Sequence, residues 1–285
     1  MKLKPIKLII NYSRSGGTML SRVLSSFPNV VLLSEVNPNQ HHSYHFDISY
    51  QMKKWYNVDV IGESFIEKVE FVYNWCNQHN KTLIIRDVTS FDFLPNPINN
   101  FKPNGKIETY LLLKAHFPVV SICFVRDAID VWISRDCPPN FSKHYIQYVT
   151  SIQTLQVPIL KYESFCKQPQ LELEKICNLL DIPFDSSVLN TFQTNLNVTG
   201  DNQMNKPSRG FQLSYIQVLG RKRIARYLQQ KLREDKTLQQ ANRLLEYSPH
   251  YKNDEILIEN KPNFGKVEWK FWIRKLLKRY PVYLE

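Results

Sequence analysis

Apolar positions along the chain recur in two periods, and the alternation between them predicts the elements. Short apolar or β-branched runs at Ile6–Ile10, Val30–Leu33, Leu83–Arg86, Val119–Val125 and Val157–Leu160 read as buried strands. Helical spacing fills the stretches between. Met19, Leu20, Val23, Leu24 and Phe27 share one face, and further helices are expected around Tyr50–Tyr56, Ser64–Gln78 and Gln170–Leu180. Asp127-Ala128 opens another, carrying Ile129, Trp132 and Ile133. A helix over Arg221–Leu232 would bury Ile224, Tyr227, Leu228 and Leu232 and hold its basic head toward the ligand region. Strands alternating with helices predict an α/β fold: one three-layer domain over 1–285, a parallel sheet with helices on both faces. The last periodic stretch, about 266–280, puts Trp269, Trp272, Ile273, Leu276 and Tyr280 opposite Lys270, Arg274, Lys278 and Arg279. Such a helix docks on a core or lies in a membrane interface.

Composition narrows this picture. In 285 residues, 43% hydrophobic and 13% aromatic content suffices for a buried core. No run approaches the ~18 apolar residues of a membrane helix. The apolar patch Ile6–Ile10 lacks a small-residue cleavage site and serves as a strand rather than a leader, so a cytoplasmic location is expected. Five cysteines, odd in number and never in C-x-x-C, argue for reduced thiols and against zinc or a disulfide frame. A formal charge of +11 calls for nucleic acid, a membrane face or a small polyanion as partner. There is no RNA-binding aromatic signature and no zinc-finger spacing, so nucleic acid is not expected.

Chemistry concentrates where the first strand ends. Asn11 to Gly17 is a polar, glycine-bearing turn into a helix, which aims backbone N–H groups and a positive helix end at one point, as a phosphate requires. Arg14 and Thr18 add side-chain donors, and Gly16 and Gly17 allow close approach. The Walker lysine is absent. Taken alone, the turn also suits a ligand-free strand-to-helix connection. Further on, Arg86-Asp87 ends a strand, either as a salt bridge closing it or as a pair facing a ligand crevice. His41, His42 and His45 stand in a polar loop, more suited to solvent than to metal without a placed carboxylate.

Arg14-Ser15-Gly16-Gly17-Thr18 resembles the 5′-phosphosulfate loop of the sulfotransferases that use 3′-phosphoadenosine-5′-phosphosulfate (PAPS). The departure is Gly17, where that family more often has a hydroxyl residue. About 110 residues on, Arg126 at a strand end and Ser134 eight residues later resemble the family's 3′-phosphate site. There a guanidinium forks onto phosphate oxygens while a hydroxyl donates a third bond. The segment Val157–Phe165 resembles a mainly structural family element. The long polar stretch Asn195–Gln212 stands where the family closes a loop over the nucleotide. The resemblance therefore implies a P-loop NTPase-like sulfotransferase fold, PAPS as donor, 3′,5′-diphosphoadenosine (PAP) as product, and no metal. It implies a nucleotide shell of Arg14, Ser15, Gly16, Gly17, Thr18, Met19, Arg126, Ser134, Thr199, Ser208, Arg209 and Gly210.

The attacking hydroxyl or amine must lose a proton, so a base is needed near the loop. Family members use a His or a Glu just after the second strand. Glu35 follows Leu32-Leu33-Ser34, 21 residues after Arg14, and matches the Glu-type spacing; its other reading is a turn cap or an ion pair with a nearby Arg. His41 and His42 are the reserve bases, and Asp87 is the expected acceptor-orienting residue. The acceptor pocket would be built from Val36–Tyr56 and Thr89–Asn104, and a small specialised metabolite is the expected acceptor. The competing classes are a nucleotide kinase, which wants a Walker lysine and a magnesium-binding acid, and a non-catalytic nucleotide sensor.

Overall fold

The computed structural model describes residues 4–39, 44–95, 103–195, 197–200 and 215–251. Its contacts divide the chain into two compact units, one of residues 1–126 and 151–218, the other of 127–150 and 219–285.

The first unit is built on five parallel strands: β1 Ile6–Ile10, β2 Val30–Val36, β3 Thr82–Asp87, β4 Val119–Val125 and β5 Ile159–Lys161, in the order β2-β3-β1-β4-β5. Every residue of β1 is buried, as expected of a central parallel strand covered on both faces. From β1 the chain passes over β3 to reach β2, whereas from β4 it proceeds outward to β5. The connections therefore leave in opposite directions at the β1/β4 boundary, where Ile10 pairs with Cys123. Open α/β sheets bind ligands beyond the carboxyl ends of their strands at such a point.

The helices of this unit are α1 Gly17–Leu24, α2 Ile48–Tyr56, α3 Phe65–Gln78, the short α4 Ser90–Phe93 and α5 Glu108–His116. In the second unit α6 spans Ala128–Ser134, and α7 Phe141–Thr154 runs from that unit back into the first. The first unit then continues with α8 Tyr162–Lys167, α9 Pro169–Leu180 and α10 Val188–Thr191, and the second with α11 Arg226–Glu234 and α12 Lys236–Leu244. Leu20, Val23 and Leu24 of α1 enter one apolar cluster with Ile9, Leu32, Ile84, Ile122 and Phe124 from four strands. That cluster also takes Phe165, Leu173 and Ile176 from α8 and α9, so α1 is clamped onto the sheet and its N-terminus is held rigidly.

Several expected boundaries move: β2 runs past Leu33 to Val36, and β3 spans Thr82–Asp87. The strand placed at Val157 starts at Ile159, and the helix placed at Arg221 starts at Arg226. In the second case residues 221–225 are not helical, and the Arg221 side chain is drawn to two carboxylates. Among the described residues, no helix is long and apolar enough to cross a membrane. Residues 266–280 lie outside the described residues.

Candidate active site beyond β1 and β4

The turn after β1 is tight. The Ser15 N–H donates to the Tyr12 carbonyl at 3.2 Å, and Arg14 and Gly16 take positive φ of 70° and 84°. Gly16 is the N-cap of α1, and a Cβ there would lie 2.2 Å from Cδ2 of Tyr162. Both the φ and the Tyr162 ring thus require glycine. No side chain caps α1, its first turn carries no acidic residue, and the first helical bond is Leu20 N–H to the Gly16 carbonyl at 3.3 Å. The N–H groups ahead of it have no intrahelical acceptor. The Ser15 hydroxyl is buried and has no partner among the described residues. An uncapped helix start and an unsatisfied buried hydroxyl fit an anion such as a phosphate.

Gly17 is required for a different reason. A Cβ on it would stand 2.0 Å from Oδ1 of Asn11 and 2.6 Å from Nη1 of Arg86. Those two side chains occupy the space that any side chain at position 17 would need. Asn11 is anchored by donating to the Phe124 carbonyl at 2.8 Å, which ties the turn to β4. Arg86, only 1% exposed, donates from Nε to Ser21 Oγ at 2.7 Å and from Nη1 to Asn11 Oδ1 at 3.4 Å. Its Nη2 lies 3.2 Å from Oε1 of Glu35, close enough for an ion pair but off the axis of a hydrogen bond. The pair at the end of β3 is therefore not Arg86 with Asp87 alone. The guanidinium reaches across to β2.

Glu35 is where β2 breaks its rhythm. Ser34 pairs with Arg86 and Val36 with Asp87, so Glu35 is an extra residue in a bulge, with φ of 57°. A bulge re-aims a side chain, and a non-glycine residue at positive φ is held there by its surroundings. The carboxylate arrives beside the phosphate loop: a Cβ on Gly200 would lie 2.6 Å from Thr18 Oγ1 and 3.1 Å from Glu35 Oε1. Gly200, at φ 137°, is the residue that passes between them. Its neighbour Thr199 is committed elsewhere. The Thr199 N–H donates to Ser34 Oγ at 2.6 Å, Ser34 Oγ donates to the Thr199 carbonyl at 3.0 Å, and Thr199 Oγ1 donates to the His45 carbonyl at 3.0 Å. Thr199 docks the segment on β2, and Gly200 is the member that reaches the loop. Its signal in the sequence was a glycine inside a polar stretch.

Arg126 follows β4 directly. Its Nη1 donates to the Arg14 carbonyl at 3.3 Å, and its guanidinium carbon lies 4.8 Å from the centre of the Tyr162 ring. Tyr162, expected to be structural only, thus forms a shelf between Gly16 and Arg126. Arg14, Ser15, Gly16, Thr18, Glu35 and Arg126 are accordingly gathered at the carboxyl end of the sheet, with Met19 half-buried on α1. Ser134 belongs to the second unit, where it is the last residue of α6.

Asp87 is completely buried and does not face an acceptor. Its oxygens accept from Asn37 Nδ2 at 2.9 Å, Thr89 Oγ1 at 2.8 Å and Thr109 Oγ1 at 3.0 Å. Burial raises its pKa to about 6 despite those donors. Asp92 shares the Asn37 amide at 3.1 Å and takes Asn39 Nδ2 at 2.9 Å; burial, with the neighbouring Asp87 charge, pushes it to about 8. This pair braces Asn37 to Asn39, just beyond Glu35. His41, His42, Ser208, Arg209 and Gly210 lie outside the described residues.

In the second unit, Asp127 caps α6 by accepting from the Ile129 and Asp130 N–H groups at 2.8 and 3.4 Å. Arg221 closes on it, Nη2 to Asp127 Oδ2 at 2.7 Å and Nε to Asp130 Oδ1 at 2.9 Å. Burial opposes the Arg221 charge, but the two carboxylates outweigh it and hold its pKa above the ordinary value. The basic head expected to face a nucleotide is, at Arg221, neutralised within the protein.

No family model matches the chain, and no curated protein matches it in sequence. Solved structures do. The sulfotransferase domain from the curacin biosynthetic pathway is similar over 87% of this chain and 99% of its own, with a TM-score of 0.56 at 16% identity. The sulfotransferase domain from the Synechococcus PCC 7002 olefin synthase covers 86% of this chain and 95% of its own, with a TM-score of 0.54 at 15% identity. Together with a five-stranded parallel sheet that opens between β1 and β4, these likenesses show that the chain has the sulfotransferase fold.

Proposed function

We propose that this chain transfers a sulfuryl group from PAPS to a hydroxyl or amine of a small specialised metabolite, with Glu35 as the base. The observation that carries the reading is the bulge in β2, which holds the Glu35 carboxylate beside Thr18 and the uncapped start of α1. A base within reach of a phosphate loop is what sulfuryl transfer adds to mere nucleotide binding. PAPS, when bound, brings a sulfur electrophile whose leaving group is a 5′-phosphate oxygen.

The residues divide the remaining tasks. N–H groups at the start of α1, with the Ser15 and Thr18 hydroxyls, would hold the 5′-phosphate. Arg14 would offset the charge that gathers on the leaving oxygen in a loose transition state. Arg126, stacked on Tyr162, would fork onto the 3′-phosphate, with Ser134 as a hydroxyl donor. Glu35 accepts the proton of the attacking hydroxyl or amine. The similar domains serve, by their descriptions, a curacin biosynthetic pathway and an olefin synthase, which accords with a small-metabolite acceptor.

Glu35→Gln tests the reading. PAP should raise the melting temperature of variant and parent alike. Transfer of labelled sulfate from PAPS should fall about 10²–10⁴-fold in the variant. Near-normal turnover, with the loss found instead in His41→Ala or His42→Ala, would move the base to the histidine loop.

A further inference from the structure

Among the described residues Arg86 is the largest side chain buried almost completely, and it touches the three parts of the candidate site that must agree with one another. Nε binds Ser21 on α1, Nη1 binds Asn11 at the root of the phosphate loop, and Nη2 faces Glu35 on β2. Burying a guanidinium is costly unless its donors are used, yet Nη2 lacks an aligned hydrogen bond at 3.2 Å from the carboxylate. Gly17 has no Cβ in the place where one would collide with both Asn11 and Arg86. Two independent features, a bulge at Glu35 and a glycine at 17, thus accommodate one side chain.

Resting on the reading of Glu35 as base, we infer that Arg86 is a positioning residue: it sets the direction of the Glu35 carboxylate relative to the phosphate loop. The guanidinium is held from two sides by Ser21 and Asn11, so its third edge is fixed in space. Glu35 is 18% exposed at that edge, while Arg86 stays inside. Donor site and base are then parts of one connected unit: hydrogen bonds run from the Phe124 carbonyl to Asn11 to Arg86, and an ion pair joins Arg86 to Glu35. Gly17 is required by that unit and not by backbone conformation, since its φ is not in the left-handed region.

The test compares Arg86→Met in the parent and in the Glu35→Gln background, with folding checked by circular dichroism. In the parent, Arg86→Met should lower kcat roughly 10–10²-fold while the KM for PAPS changes by less than about threefold. In the Glu35→Gln background the same change should cost less than about twofold, because the group that Arg86 orients is gone. Equal, multiplicative losses in both backgrounds, or a loss carried by KM alone, would overturn the inference and leave Arg86 a structural residue. If Arg86→Met does not fold, Gly17→Ala keeps every charge and presses a methyl on Asn11 and Arg86; it should show the same non-additive pattern, and additive losses would again overturn the inference. Unimpaired turnover in Glu35→Gln alone would instead remove the base assignment, so the two failures are distinguishable.

Discussion

After β1 the chain turns into α1 through Gly16, with no side-chain cap and no acidic residue in the first turn. After β4 it turns into α6 through Asp127, whose carboxylate accepts from the first N–H groups and is closed by Arg221. Each turn ends a strand of the sheet centre and starts a helix with unpaired donors. The second brings its own anion and a buried cation to balance it. Among the described residues, the first brings glycines, hydroxyls and Arg14 but no carboxylate to cap its helix. Both turns present helix dipole and N–H groups; what separates a binding turn from a structural one is whether the chain itself fills it.

That contrast can be broken from the closed side first. Asp127→Ala would take from Arg221 one of its two described carboxylate partners and remove the α6 cap. Breaking a buried pair and a cap should destabilise the protein by about 3–5 kcal/mol, read as a lower denaturant midpoint at an unchanged slope. A loss near zero would mean that Arg221 finds another partner and the turn is not closed by this pair.

From the open side, Thr18→Asp would give α1 an anion of its own. The new carboxylate should cost the protein no stability, since acidic groups favour a helix start. Its charge should weaken PAP binding about 10²-fold, measured by calorimetry. Unchanged affinity would place the anion site away from the first turn of α1.

A smaller effect sharpens the role of the counter-ion. Among the described residues Asp92, unlike Asp127, has no cation against it; its partners there are Asn37, Asn39, the Glu108 N–H and the Asp87 charge. Its pKa is raised by burial to about 8, so the folded state holds a proton that the unfolded state releases near pH 4. Stability should therefore fall as pH rises through that window. Asp92→Asn should flatten the fall in melting temperature between pH 5 and pH 9. An equal fall in parent and variant would show that the buried proton is not on Asp92.

Much of the scaffold was legible from local pattern. β1 and β4 run over the expected residues, Ile6–Ile10 and Val119–Val125, because continuous apolar runs between turn residues admit one reading. Helix α3 was marked by its capping box, in which Ser64 and Glu67 exchange side-chain and backbone bonds. Helices α5, α7 and α12 were not read, although Phe141, Tyr145, Tyr148, Val149 and Ile152 stand at helical spacing on the buried face of α7; in α5 the exposed Leu111 blurs the period. The start of the helix at Arg221 was misread because a run of basic residues favours a helix only while its side chains are free for solvent. Arg221 is held by Asp127 and Asp130, a pairing across more than 90 positions of sequence.

By itself, the amino-acid sequence determined the α/β class and the strand-turn-helix at Leu8–Leu24, because these depend on neighbours within a few residues; the candidates Arg126 and Glu35 came from its resemblance to a known family. The tertiary structure alone decided that β3 lies between β2 and β1. That order puts Arg86 beside both Asn11 and Glu35, makes Gly17 a steric necessity, and buries Asp87. Strand order is a matter of which crossovers cover the sheet and bury the most apolar surface, a sum over the whole chain that no local period records.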